Sequence, residues 1–396
     1  MTDEVVVFAC QHIKCSRNTT PFQRSSAVCD SFDTHILSRG EVCDEVAAES
    51  EKTISVGNGP VQRLLYPLFI IAYVFAIHRS HDVRCVHTTH PPQTLAAGAF
   101  LQLIGFVWIA DIWDDPRLGV DLDRSESITR RIARGYNRAL FSFAKRRLGR
   151  ADLIVFALAP ELLSEYGIAP DAANVYTTTN GVDPTLVPTT VGSDERESVS
   201  VVYVGPVLLE RGIGTLLDAV TALPKDCPPL SITLVGEANK ETREAVSEWQ
   251  ENTGDHTVRL TGRLSHDAAM EHLRTSDIGV CLLSTEVRNY NFAYPIKVFE
   301  YMAAGVAIVC TRTVGTEQIL NDGENGLLVE SDDTDDVADA LSRLVREEEL
   351  RSRLSSEAQK TVREYRWSEI NESIIAEIRA TTGSSVRQRD HSRSHR

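Results

Sequence analysis

VSVVYVGPVLLERGIGTLLDAVTAL, residues 199–223, passes from a β-rich run through a glycine-bounded turn into an amphipathic helix. Ile213, Leu216, Leu217 and Val220 fall on one helical face, and Pro224 stops the helix. The alternation continues with SITLV (231–235), ETREAVSEWQ (241–250), VRLTG (258–262), HDAAMEHLRTS (266–276), DIGVCLLS (277–284), PIKVFEYMAAG (295–305) and VAIVC (306–310). Short strands joined through helices make a parallel sheet, so this half is a doubly wound α/β domain.

Outward from this segment, the first half repeats the rhythm less cleanly, with strands expected at VVVFA (5–9), VRCVH (83–87), FVWIA (106–110) and LIVF (153–156). The 396 residues hold two α/β domains at roughly 100–200 residues each. The polar stretch VPTTVGSDERES (187–198) lacks apolar periodicity and is expected to be the linker. The expected division is therefore 1–186, linker 187–198, a second domain over 199–382, and a disordered basic tail over 383–396.

The chain carries 56 Asp plus Glu against 41 Lys plus Arg, a net charge of -15, which argues against general nucleic-acid binding. Only seven of the 41 basic residues are Lys, a composition similar to that of halophilic proteins. The start MTDEVVVFAC has neither a basic nor a long apolar run, so the eight cysteines are expected to be reduced and the protein cytoplasmic. Cys10, His12, Cys15 and Cys29 match no common zinc spacing, and no metal site is expected.

Two segments of the first half depart from this acidity. Residues 64–77, LLYPLFIIAYVFAI, hold 14 positions without a charge, too few for the roughly 20 that cross a bilayer. Nine Lys or Arg and one acid, Glu126, lie between Arg124 and Arg150, a local charge of +8. The bland readings are a core helix and a solvated helix face. Together the two segments point to an anionic membrane surface as a partner.

Three strand ends carry anion-binding features. In GPVLLERGIG (205–214) the amides opening a helix adjoin Arg211. In NFAYPIKVFEYMAAGVAIVC (291–310), Pro295 begins a helix that sets Lys297 and Glu300 three apart on one face. That pair suits a diphosphate and the hydroxyls of a ribose; a surface ion pair is the competing reading. In TRTVGTEQILNDGENGLLV (311–329), Val314, Gly315 and Thr316 offer another turn of amides. Such ends converge where parallel sheets bind ligands.

GPVLLERGIGTLL, LVGEA, VRLTGRLS, PIKVFEYMAAGVAIV, VGTEQIL and DGENGLLV, in this order, resemble the nucleotide-binding domain of family 4 retaining glycosyltransferases, in the subgroup with a Pro-x-Lys-x-x-Glu-Tyr-Met motif. HTTHPPQTLAAGAF (87–100), WIADIWDDP (108–116), RADLIVFA (150–157) and NGVDP (180–184) extend the resemblance weakly into the first half. It implies the GT-B fold, two Rossmann-like doubly wound domains facing across a cleft. It also implies a nucleotide-sugar donor in the second domain, an acceptor in the first, and no cofactor or required metal. Gly205 and Arg211 match the residues facing the donor diphosphate, Glu300 the glutamate that holds the ribose, and Lys297 the motif lysine. Arg263 lies in the loop that lines the base, and Gly315 and Thr316 join the donor set.

The departures are specific. Phe292 replaces the first glutamate of the family's pair, Pro206 replaces an arginine, and Ala110 stands where a histidine often precedes Asp111. Asp111 and His90 are left as candidates for orienting the acceptor, beside His87. Arg211 and Lys297 would stabilise the departing diphosphate. Asp121 and Asp123 form an Asp-x-Asp triplet without a preceding strand and read as surface carboxylates. No Gly-x-Gly-x-x-Gly follows VVVFA, which argues against a dinucleotide enzyme. With its basic and apolar segments, the first domain suits a lipid-linked acceptor on the inner membrane face. A transferase or epimerase with a soluble substrate, and a degenerate non-catalytic partner, remain as alternatives.

Overall fold

The computed structural model describes residues 4–14, 17–118, 128–187 and 198–393. The chain forms two compact units, Met1–Thr179 with Ser368–Arg396, and Asn180–Trp367. The first break therefore falls earlier than the expected linker, of which residues 188–197 lie outside the described residues. The last helix, Trp367–Arg393, belongs to the first unit from Ser368 onward, not to the second. The tail expected to lack structure continues that helix to Arg393.

In the first unit β1 (Glu4–Cys10), β2 (Thr34–Ser38), β3 (Lys52–Ser55), β4 (Asp82–Thr89), β5 (Trp108–Ile112), β6 (Leu153–Phe156) and β7 (Val175–Thr177) form one sheet. Its order is β3-β2-β1-β4-β5-β6-β7 and its ladders are parallel. Between strands lie α1 (Thr20–Ser31), α2 (Asp44–Glu49), α3 (Pro60–Ile77), α4 (Pro92–Leu103), α5 (Ile128–Leu148) and the short α6 (Glu161–Ser164). The continuous apolar run of β1 serves two layers. Val6, Phe8 and Cys10 meet Phe22, Val28, Ile374, Ile375 and Ile378, while Val7 and Ala9 meet Tyr66, Ile70 and Val74 of α3. Burying each of those isoleucines is worth about 1.5–3 kcal/mol, which ties the C-terminal helix to this sheet.

The second unit holds β8 (Val199–Val204), β9 (Leu230–Val235), β10 (Thr257–Gly262), β11 (Ile278–Cys281), β12 (Ala307–Thr311) and β13 (Leu327–Val329), in the order β10-β9-β8-β11-β12-β13. Its helices are α7 (Ile213–Thr221), α8 (Lys240–Asn252), α9 (His266–Arg274), α10 (Arg288–Phe292), α11 (Ile296–Ala304), α12 (Thr334–Arg346) and α13 (Glu348–Thr361). Val201 and Tyr203 face α7 and α12, whereas Val202 packs with Phe299 and Met302 of α11. Both units are doubly wound parallel sheets, as the rhythm of 199–310 predicts.

Cysteine chemistry departs from expectation at one position, since Cys43 is disulfide-bonded. The reduced state expected for all eight cysteines therefore does not hold at Cys43. Cys10 and Cys29 are free and buried, and burial pushes both thiols up to about 12.

Candidate functional site

The second unit reverses direction between β8 and β11, so the chain leaves their carboxyl ends on opposite sides and opens a crevice there. Gly205 follows β8 at φ 135, with its amide bonded to the Val235 carbonyl at 2.9 Å. A Cβ at Gly205 would stand 3.2 Å from Lys297 Nζ, so the bare backbone lets the lysine approach. Gly212, at φ 85, is pressed against the Leu282 carbonyl beyond β11, where a Cβ would collide with the backbone. These two glycines hold the 205–214 loop closed over the strand ends.

Lys297, in the first turn of α11, stretches its ammonium to 3.7 Å from the centre of the Tyr203 ring. That nitrogen is buried and has no hydrogen-bond partner. Arg211 is fixed differently, its Nε donating to the Tyr290 hydroxyl at 3.0 Å. Among the described residues neither cation pairs with a carboxylate. Beneath them, the buried Cys281 thiol lies below its ordinary range, through its hydrogen bond with Cys310 and then the charges of Lys297 and Arg211. An uncompensated positive pocket at a glycine-lined strand end is chemically an anion site.

Lys297 and Glu300 do not form the surface ion pair that their spacing allows. Glu300 is buried, and its Oε1 lies 3.1 Å from His266 Nε2 at the start of α9. The hydrogen bond to Glu300 raises the His266 pKa above the ordinary 6.5 despite partial burial. The sequence reading missed His266, because a histidine opening a charged helix looks like a solvated one. Arg263, three residues earlier in the same loop, is exposed.

The third expected amide turn is not available to a ligand. The Gly315 amide donates to the Asn291 carbonyl at 3.0 Å, and the Val314 amide to Asn291 Oδ1 at 3.3 Å. The Thr316 amide donates to Thr313 Oγ1 at 3.0 Å, and the Thr316 hydroxyl to the Thr311 carbonyl at 2.7 Å. Residues 316–318 form one 3-10 turn, not an α-helix. Gly315 and Thr316 therefore brace the loop, with Gly315 packed so closely on Ala293 that no Cβ fits.

In the first unit Asp111 already has partners. It is fully buried, with Oδ2 2.8 Å from Arg24 Nε and 3.0 Å from His87 Nε2. His90, just past β4, is better placed. Its ring lies edge-on to Trp113, Nε2 is 3.8 Å from Asp114, and the buried Nδ1 has no partner. Burial lowers its pKa more than the nearby carboxylates raise it, so the ring is neutral near pH 7. His90 lines a cavity of about 680 Å³ at the switch point of this sheet, beside Gln11 after β1 and Arg39 after β2. Asp121, Asp123 and Arg124 lie outside the described residues.

The apolar and basic segments are neighbours. The 18-residue α3 is long and apolar enough to cross a membrane, longer than its 14 uncharged positions suggest, yet it packs on the sheet through Tyr66, Ile70 and Val74. Its other side exposes Val61, Leu64, Leu68 and Phe69. The Tyr136 hydroxyl of the basic helix α5 donates to the Leu64 carbonyl at 2.5 Å, and Arg147 of α5 donates to Gln102 of α4 at 2.7 Å.

Residues 198–347 match a family model described as Glycosyl transferases group 1. A phosphatidyl-myo-inositol mannosyltransferase of Mycolicibacterium smegmatis is 27% identical over 195 residues, covering 48% of each chain. An uncharacterised glycosyltransferase of Methanocaldococcus jannaschii is 26% identical over 165 residues, 42% of this chain and 43% of that one. The chain thus spans about half the length of these curated relatives. Across nearly its whole length it is similar to Anabaena HepE in complex with UDP, with a TM-score of 0.69, 16% identity and coverage of 95% and 99%. Sucrose-phosphate synthase from Thermosynechococcus elongatus gives a TM-score of 0.71 at 18% identity, covering 98% and 100%. The fold is GT-B, as the sequence motifs implied.

Proposed function

We propose that the protein is a retaining, family 4-like glycosyltransferase that moves a sugar from a nucleotide-diphosphate sugar to a lipid-linked acceptor at the cytoplasmic face of the membrane. The observation that carries this reading is the Lys297 ammonium, buried against Tyr203 without a partner and facing the bare Gly205 backbone. A buried charge left unpaired costs stability, and a donor diphosphate would supply its counter-ion. HepE with UDP and the matched mannosyltransferase support the class of donor and acceptor.

In such a transfer the bond from the anomeric carbon to the diphosphate breaks, the acceptor oxygen bonds to the same face, and its proton passes to the departing diphosphate oxygen. Negative charge grows on the departing oxygen, where Lys297 and Arg211 stabilise it in place of a required metal. Glu300, oriented by His266, is set to receive the ribose hydroxyls, and exposed Arg263 to lie along the base. His90 is the group of the first unit suited to orient the acceptor, since Asp111 is already engaged by Arg24 and His87.

Thermal stabilisation by a panel of nucleotide diphosphates tests the donor site, because a ligand of the native state stabilises by mass action. One nucleotide should shift the parent, and Glu300→Ala should lose the shift. No shift from any nucleotide in a folded protein would overturn the reading. Donor binding without transfer to any lipid acceptor would favour the non-catalytic partner, a reading that Phe292 and the engaged amides at 314–316 also support.

A further inference from the structure

We infer that the first-unit cavity is a binding site for the phosphate of an anionic amphiphile, with Arg39 and Arg63 holding the phosphate and Leu64 and Ile132 seating the chain next to it. This deepens the lipid-acceptor reading and rests on it for the identity of the phosphate's bearer. The cavity, about 680 Å³, is lined by Arg39, Arg63 and Arg134, and no Asp or Glu is in its lining among the described residues. That is a marked local exception in a chain of net charge -15.

Arg39 carries the argument. It is 7% exposed, its Nε has no hydrogen-bond partner, and among the described residues no carboxylate pairs with it. Burial and the neighbouring Arg63 charge both act against its ionised form. A guanidinium held in this way lacks only an anion. Arg63 is steadied from behind, its Nε donating to the Asn58 carbonyl and side chain at 3.0 Å each. Two planar cations lining one cavity match the tetrahedral oxygens of a phosphate.

The lining also has apolar side chains beside the arginines. Leu64 and Ile132 are among them and are 47% and 66% exposed, and Val61 and Leu68 prolong the same apolar surface along α3. A free inorganic anion would make no use of those side chains. A phosphate joined to a hydrocarbon chain uses both.

The test is calorimetric titration of the full chain with three probes: dihexanoyl phosphatidic acid below its micellar concentration, inorganic phosphate, and uncharged dihexanoylglycerol. The parent should bind the phosphatidic acid at least about tenfold more tightly than either other probe. Arg63→Gln, at an exposed position, should weaken the phosphatidic acid about tenfold, and Arg39→Gln should do the same where it folds. Leu64→Gln should weaken the phosphatidic acid while leaving inorganic phosphate unchanged. Equal affinity for inorganic phosphate and phosphatidic acid would overturn the amphiphile, and parent-like binding by Arg63→Gln and Arg39→Gln would overturn the site. The readout does not depend on sugar transfer. A parent that binds the lipid but no nucleotide supports this inference and refutes the glycosyltransferase reading, and the converse result does the reverse.

Discussion

Replacing Lys297 with methionine should make the protein more stable and less able to bind its donor. The side chains are of similar length, so the change removes the charge and keeps the packing against Tyr203. An unsatisfied buried polar group costs about 1–3 kcal/mol, and more when charged. The cation over the Tyr203 ring, 3.7 Å from its centre, returns about 0.5–2 kcal/mol. The difference leaves Lys297→Met more stable by about 1 kcal/mol, a rise in melting temperature of about 2–4 °C for a domain of this size. A charge-assisted bond to a diphosphate is worth about 1.5–3 kcal/mol, so nucleotide affinity should fall about 10- to 100-fold. Thermal unfolding with and without nucleotide diphosphate reads both effects. A variant less stable than the parent, with unchanged nucleotide affinity, would refute the argument that this ammonium waits for an anion.

Gly212→Ala should cost about 1–2 kcal/mol from its left-handed backbone alone, and the collision with the Leu282 carbonyl should add to it. Gly254→Ala, equally left-handed but in open space, is the control, and equal urea midpoints for the two would sink the close-approach argument. Because the folded pKa of His266 is raised, its contribution to stability is full below about 6.5 and is lost as pH climbs through the folded value. The stability gap between the parent and His266→Gln should therefore narrow above that pH, and parallel melting curves from pH 6 to 8 would contradict the pairing with Glu300. Asp111→Asn leaves the buried Arg24 uncompensated and should cost about 3–5 kcal/mol of folding stability, measured by urea denaturation. A folded, fully stable Asp111→Asn that has lost only turnover would restore Asp111 as a catalytic group.

The second unit was legible because its strands are continuous apolar runs set between amphipathic helices, each marked by glycine or proline. The first unit was legible only at its centre. Strand β3 is four residues with a largely exposed pattern, β7 is three, and β2 is bounded by polar residues, so none announces itself by periodicity. The final helix shows its apolar residues but not which sheet they meet; Ile374, Ile375 and Ile378 find β1, across more than 360 positions of sequence. At the site, Lys297 and Arg211 were visible as cations. What the sequence could not show was the state of their partners: Tyr203 beneath one, Tyr290 on the other, and His266 on Glu300. The amides at 314–316 mark the opposite failure, since their residue types suit an anion while Asn291 and Thr313 already hold them.

The return of the C-terminal helix sets an order of assembly. Residues 180–367 form a complete unit as soon as they have left the ribosome, whereas the first unit, begun earlier, still lacks the side chains that cover one layer of β1. During synthesis the second-born unit therefore closes its sheet first, and the first-born one lacks one cover of β1 until the residues from Ser368 onward arrive. A nascent chain stalled at Trp367 would leave Val6, Phe8 and Cys10 of β1 without Ile374, Ile375 and Ile378, apolar surface of the kind that chaperones cover.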